Sequence, residues 1–385
     1  MKFRLPLSLA AALAVAWPAI AAADPIRGGR PQAVNDVAVA TPAGIAAATW
    51  VGGLEAPWSL VFLPDGRALV SERPGRIRLI DGGRLAAGPV ATIAVRQGGE
   101  GGLMGLALHP EYPRQPYLYA MHTHAEGADI GNRVIRLRLS ADAGTATFDR
   151  VVLAGVPGAR FHNGGRIAFG PDGMLYVATG ETFDAPRAQV LVDLGGKILR
   201  VTPDGAVPAD NPFPGSPVWS LGHRNVQGLA FHPGTGTLFA SEHGPSGEFG
   251  LRALDEVNVI RRGANYGWPL AVGAAGDARF ADPILAWPDP ATPPSGMAFW
   301  RGDLFVATLR SQALLRIRLE PASGGGWRPT AVERWFGERS TQPLGRLRDA
   351  VAGPDGALYV LTNNRDGRGR PQEGDDRILR ITPAQ

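Results

Sequence analysis

Apolar and polar residues alternate along this chain in short runs, and the runs recur. Leu60-Val-Phe-Leu-Pro-Asp-Gly-Arg-Ala-Leu-Val-Ser-Glu72 reads as an alternating strand, a Pro-Asp-Gly turn and a second strand. Arg166-Ile-Ala-Phe-Gly-Pro-Asp-Gly-Met-Leu-Tyr-Val-Ala-Thr-Gly180 and Asp349-Ala-Val-Ala-Gly-Pro-Asp-Gly-Ala-Leu-Tyr-Val-Leu-Thr362 repeat it. Looser copies start at Met104, Gly228 and Gly296, so six copies follow one another roughly 45 to 70 residues apart. Alternation gives a strand with one buried face, and Asp-Gly supplies a tight hairpin turn. Further strands are predicted at Arg76–Ile80 and Leu315–Leu319. A lone hairpin is marginal in water, so such units must pack on one another. The pattern predicts an all-β fold, a six-bladed β-propeller of four-stranded antiparallel blades. Arg377–Ile381 is expected to pair with Ala47–Val51 and close the ring. The alternative is two packed β-sandwiches. Long helices are excluded, because no stretch beyond the N-terminus keeps a 3.6-residue period.

Composition narrows the possibilities. Gly (52) and Pro (34) make up about a fifth of the 385 residues, which fits many short strands joined by turns. There is no cysteine, so disulfide scaffolds, thiolate zinc sites, Fe–S clusters and cysteine nucleophiles are ruled out. Lys plus Arg is 39 against 35 Asp plus Glu, a formal charge of only +4 with no run of like charge. That argues against a nucleic-acid partner. Residues 1–23 read as an export signal: Lys2 and Arg4, an apolar stretch from Leu5 to Val15, then Ala21 and Ala23 before Asp24. The expected organisation is a signal peptide (1–23), an N-terminal extension (24–34) and a propeller catalytic domain (35–385). The mature protein would have no membrane span and would be periplasmic in a Gram-negative cell.

Chemistry-bearing residues gather just before or after the repeat strands. His162, in Arg160-Phe-His-Asn-Gly-Gly-Arg166, precedes one repeat, and Glu181 ends the hairpin that follows. A hairpin returns its ends to each other, so Glu181 is placed to orient His162 or raise its basicity. Arg224 and Asn225 precede the next repeat. Ser241-Glu-His-Gly-Pro-Ser-Gly-Glu248 follows, with Asp255 and Glu256, then Asn265-Tyr-Gly-Trp-Pro269, a mixture of turns and carboxylates of the kind Ca²⁺ prefers. Arg346 and Arg348, two apart, would share a strand face; with Arg310 and Arg224 they outline a pocket for a small polyanion. Insertions at 181–220 and 242–295 would build one rim of a central channel. His122 and His124 share a strand face and read as a polar rim. His109 and His232 occupy equivalent turns before Pro110 and Pro233. No dinucleotide fingerprint, P-loop or nucleophile elbow is present.

Taken in order, Ala56-Pro-Trp-Ser-Leu60, Gly101-Gly-Leu-Met-Gly105, Phe161-His-Asn-Gly-Gly-Arg166, Leu194-Gly-Gly-Lys-Ile-Leu-Arg200, Gly222-His-Arg-Asn225, Glu242-His-Gly-Pro245, Asn265-Tyr-Gly-Trp-Pro269 and Arg346-Leu-Arg-Asp349 resemble the soluble aldose and glucose dehydrogenases that depend on pyrroloquinoline quinone (PQQ). The resemblance implies His162 as catalytic base, with Arg224 and Asn225 facing the quinone and the reacting sugar carbon. It implies Gly244 and Pro245 as carbonyl ligands of a catalytic Ca²⁺, and Glu256 and Tyr266 at a second, structural Ca²⁺. Arg310, Arg346 and Arg348 would bind the cofactor. Glu100 stands where the family commonly has Gln; beside a tricarboxylate, a carboxylate fits only if protonated or turned toward a cation. The implied reaction oxidises aldoses at the anomeric carbon to lactones. Electrons would pass to an external acceptor, and the enzyme would be a monomer or homodimer. Two other readings are a Ca²⁺-dependent propeller lactonase and a non-enzymatic sugar-binding propeller.

Overall fold

The computed structural model describes residues 24–127, 129–323 and 326–384, so the signal-peptide reading of 1–23 lies outside the described residues. Six antiparallel sheets form six blades. Their innermost strands are Pro57–Phe62, Leu103–Leu108, Ile167–Phe169, Val226–Phe231, Pro294–Trp300 and Leu347–Ala352, in blades one to six. Each of these strands touches the next, and the last touches the first, so the ring is closed. Closure is made in the sixth blade, where Ile45–Val51 is the outer strand paired antiparallel to Ile378–Pro383, with Ile381 opposite Ala47. The anticipated third strands are Arg76–Asp81 and Leu314–Ala322. Among the described residues, the helices are two 3₁₀ segments, Ala185–Gln189 and Glu248–Gly250.

The inner strands depart from one-face alternation for a physical reason. Each blade is packed between two neighbours, so Ala68–Glu72, Leu238–Glu242 and Leu358–Thr362 are buried along their whole length. Leu69 packs against the second blade while Ala68 and Val70 pack against the sixth. Six apolar clusters form wedges, one at each blade interface, and a seventh gathers Ala188, Leu251, Leu254, Trp268 and Val272. Alternation survives in outer strands such as Ile45–Val51, whose first four residues switch between half-buried and exposed. The N-terminal segment adds two edge pairings. Asn35–Ala38 runs parallel to Gly326–Trp335 as a fifth strand of the fifth blade, and Ile26–Arg27 pairs with Ala271–Val272.

The channel is plugged partway by polar side chains from opposing blades. Arg166 before the third blade reaches Asp349 of the diametrically opposite sixth blade, Nη1–Oδ2 2.7 Å. The same guanidinium donates to Ser59 and to the Gln227 carbonyl and stacks over Trp58. Gly296 passes so close that a Cβ there would collide with Asp349 Oδ1, so only glycine fits.

Candidate active site

In an antiparallel blade, the start of the first strand and the end of the second lie at the same end of the ring. His162, Arg224 and Arg346 precede first strands, and Glu181, Gly244, Arg310 and Arg368 follow second strands. A cavity of about 1540 Å³ opens at that end, with Glu100, His162, Gly244, Pro245, Arg310 and Arg346 among the residues lining it. The Asp-Gly turns lie at the other end.

At the cavity floor His162 Nδ1 lies 2.7 Å from Glu181 Oε1. Both residues are buried. With the carboxylate ionised, Nδ1 carries the proton and donates it, which leaves Nε2 as a lone-pair acceptor. His162 sits at φ 55°, and its N–H donates to Glu100 Oε2 at 3.0 Å. Its carbonyl runs so close against Gly180 that a Cβ there would clash with it. Glu100 is turned toward a cation, since Arg368 Nη1 donates to its Oε1 at 3.0 Å. Burial disfavours its charge, but His243, His162 and Arg368 outweigh this and leave its pKa lowered.

Arg224 is fixed at both ends. Its backbone N–H donates to Glu242 Oε2 at 2.9 Å, and its Nε donates to Glu248 Oε1 at 3.0 Å. Burial works against the Glu248 charge, but Arg224 more than compensates, and the pKa falls. Ligand atoms of His162, Glu181 and Glu248 lie within 4.8 Å of one another, close around Arg224. Asn225 accepts from Gly164 N–H and Gln227, while its buried Nδ2 has no partner.

The arginines divide differently from the expected shared face. A bulge at Arg348 interrupts alternation, because Leu347 pairs with Thr362 but Asp349 with Leu361. Arg346 turns to Asp366, its Nη2 2.7 Å from Oδ2. Arg348 instead crosses to Gln227 Oε1 (3.0 Å) and Ser295 of other blades. Burial, with Arg73 and Arg346 nearby, pulls its pKa down to about 9 even though Asp366 opposes the shift. Arg310 is exposed on the cavity wall.

Whether the residues fit an anionic cofactor and a hard cation can be tested on unpartnered atoms. Buried Nε of Arg73, Nε of Arg348 and Nδ2 of Asn225 are donors without acceptors, and Glu181 Oε2 is an acceptor without a donor. Unmet donors of this kind are costly unless a ligand satisfies them. For the cations, Gly244 and Pro245 line the main cavity and also a second one of about 20 Å³ that Glu242, Glu256 and Tyr266 enclose. Burial and the adjacent Glu242 push Glu256 up to about 8. Crowded carboxylates of this kind are what a divalent cation neutralises. The Tyr266 hydroxyl is already committed, donating to Val259 O at 2.7 Å and accepting from Arg261 N at 2.8 Å. Its share in a cation site therefore falls to the main chain. Both ligand classes fit.

The family model for glucose/sorbosone dehydrogenases matches residues 54–379. The chain belongs to that family. It is similar to the aldose sugar dehydrogenase of Escherichia coli K12, with 33% identity across 89% of this chain and 94% of that one. Among solved structures, the PQQ-bound aldose sugar dehydrogenase of Streptomyces coelicolor shares 41% identity, covering 89% of this chain and 99% of its own, at a TM-score of 0.78. A Thermus thermophilus protein assigned as a glucose dehydrogenase shares 53% identity, covering 88% of this chain and 100% of its own, at a TM-score of 0.82. Family membership makes the chain an oxidoreductase of the sugar-dehydrogenase class.

Several residues of this cavity are missed by sequence reading. Glu248 shows in the sequence only as the end of an acidic turn, yet it holds Arg224. Asp366 and Arg368 follow the last repeat as Glu181 follows the third, and that equivalence is the available signal. Phe183 gives none. His122 is not a polar rim: it is fully buried, accepts from Arg133 Nε at 3.0 Å, and burial draws its pKa to about 4. His109 and His232 do serve turns, each accepting a backbone N–H two residues on.

Proposed function

We propose that this chain is a periplasmic, PQQ- and Ca²⁺-dependent dehydrogenase that oxidises aldoses at the anomeric carbon to lactones and passes the electrons to an external acceptor. The observation that carries the reading is the His162–Glu181 pair at 2.7 Å, with His162 lining a large cavity that Arg310 and Arg346 also line. When bound, PQQ supplies an ortho-quinone that takes hydride from C1, and Ca²⁺ polarises that quinone. Arg310, Arg346 and Arg348 would hold the cofactor's carboxylates, and Gly244 and Pro245 would hold the catalytic cation. Glu256 and Tyr266 would hold a second, structural cation.

The chain's own part is proton transfer. His162 Nε2 removes the proton from the anomeric hydroxyl, and Glu181 keeps the imidazole in the right tautomer and stabilises the imidazolium that forms. Arg224 and Asn225 orient the reacting carbon. Glu100, held by Arg368 and by the His162 backbone, fixes the position of the base. The test is reconstitution. Metal-stripped protein is mixed with PQQ, Ca²⁺ or both, and dye reduction is followed with a panel of aldoses. Activity is expected only with both present. Turnover with NAD alone would overturn the reading.

A further inference from the structure

The turn after the second strand of the fourth blade is folded around one guanidinium. Arg224 Nε and Nη2 both donate to Glu248 Oε1, Nη2 also to Ser246 Oγ (3.3 Å), and Nη1 to the His243 carbonyl (3.3 Å). These contacts commit four of the five N–H groups of the side chain. Glu248 Oε2 accepts the Ser246 N–H at 2.6 Å, so one carboxylate ties the guanidinium to the turn. The chain bends sharply to bring it there. Gly247 lies at φ 138° and Phe249 at φ 54°, a region that bulky side chains rarely adopt. The Phe249 ring meets Trp268 edge-on at 5.8 Å, and the Arg224 guanidinium lies 5.4 Å from the Trp268 ring centre.

A second carboxylate competes for that cation. Glu181 Oε1 is 4.0 Å from Arg224 Nε, and among the described residues Glu181 and Glu248 are the carboxylates within that distance of the guanidinium. The two backbones are joined as well, Glu181 N–H to the Arg224 carbonyl at 2.9 Å. Glu181 Oε1 takes the proton of His162 Nδ1, and Oε2 is buried without a partner, so Glu181 has acceptor capacity to spare. His162 is not free to follow it. The Phe183 ring, carried by a backbone at φ 62°, stacks on the imidazole at 3.8 Å. A buried guanidinium that loses its partner is drawn to the nearest remaining carboxylate, because an unpaired charge in the interior is costly. A Glu181 shared with Arg224 would bind the imidazole proton less strongly and stabilise the imidazolium less. We propose that Glu248 is a positioning residue: it holds Arg224 off Glu181 and so reserves Glu181 for His162. This rests on the reading of His162 as the base.

Glu248→Gln keeps the size and removes the charge, and its single acceptor oxygen cannot serve both Arg224 and Ser246. Glu248→Ala is a second charge-free form; the side chain is 22% exposed, so its loss opens no core cavity. In proton NMR of the full chain without cofactor, His162 Nδ1–H should give a low-field resonance, identified by its loss in His162→Ala. The resonance should move upfield in both Glu248 variants. It should return when Glu248→Gln is combined with Arg224→Met, where no guanidinium competes for Glu181. In the holoenzyme, Glu248→Gln should lower kcat for an aldose about ten- to a hundredfold, within what a general base contributes, with KM little changed. A wild type without the resonance, a resonance unmoved in Glu248→Gln or not restored in the double variant, or a loss confined to KM would each overturn the proposal. If the wild type oxidises no aldose but the resonance behaves as described, the catalytic reading fails and the positioning role stands.

Discussion

His162 combines three constraints that rarely meet on one residue. Its ring is held by a carboxylate at 2.7 Å, its backbone is in the left-handed region, and its N–H is tied to Glu100. The Glu100 contact spans the second and third blades but is made by the backbone N–H, which alanine keeps, so losing the side chain breaks no tie between blades. We therefore predict that His162→Ala folds, retains PQQ and Ca²⁺ and loses turnover by about 10²–10⁴-fold, the usual contribution of a general base. Cofactor titration followed by single-turnover kinetics checks both halves. A variant with normal binding and near-normal turnover would remove His162 from the chemistry. Glu181 would then be the next base to test, because its Oε2 is buried without a partner.

At the scale of elements, the insertion that carries Glu181 and Phe183 is held from below by a single buried cation. Lys197 donates to the carbonyls of Arg187 and Gly195, both at 2.7 Å. The same insertion accepts Gly222 N–H at Ala188 and His223 N–H at Gly196, just ahead of Arg224. Burial draws the Lys197 pKa down from 10.5 to about 7. Between those values the unfolded chain holds a proton that the folded chain releases, so this group makes stability rise with pH. Relative to Lys197→Met, which lacks the group, wild-type stability should be flat below about pH 7 and climb by up to about 1.4 kcal/mol per unit above it. Urea unfolding of both proteins at several pH values measures the difference. A constant gap would show that Lys197 titrates normally.

The blades themselves are legible in the sequence because their signals are local: alternation sets a strand and Asp-Gly sets its turn within a dozen residues. The cavity's position is legible for a related reason, since residues before first strands and after second strands must share one end of the ring. What escapes depends on distances across that ring. Arg348 does not share a face with Arg346 because one bulge redirects it toward blades four and five. Asn35–Ala38 is short and mostly exposed, so no alternation announces its parallel pairing with a strand almost 300 residues away. Phe183 is one aromatic in a loop until its backbone angles and its neighbour are known.

For the whole molecule, the Arg166–Asp349 pair is the strut. It joins opposite blades, with side chains only 7% and 3% exposed. Burial raises the Asp349 pKa, while Arg166 opposes that rise. Asp349→Asn would strand a buried guanidinium and should cost about 3–5 kcal/mol of stability. Urea denaturation gives the value directly, and a loss under about 1 kcal/mol would mean that water or rearrangement readily replaces the carboxylate.

The pairing of Ile45–Val51 with Ile378–Pro383 also has a consequence in time. A chain made from its N-terminus carries the outer strand of its sixth blade from early on. It cannot seat that strand until residue 378 has followed. Contacts this distant in sequence form late and slowly. His162 and Arg346 line a common cavity only once the circle is complete, so no N-terminal fragment has that cavity to fill. A cofactor could be taken up only by a finished chain, and a chain clipped before its last strand would be an unclosed stack of blades with nowhere to hold one.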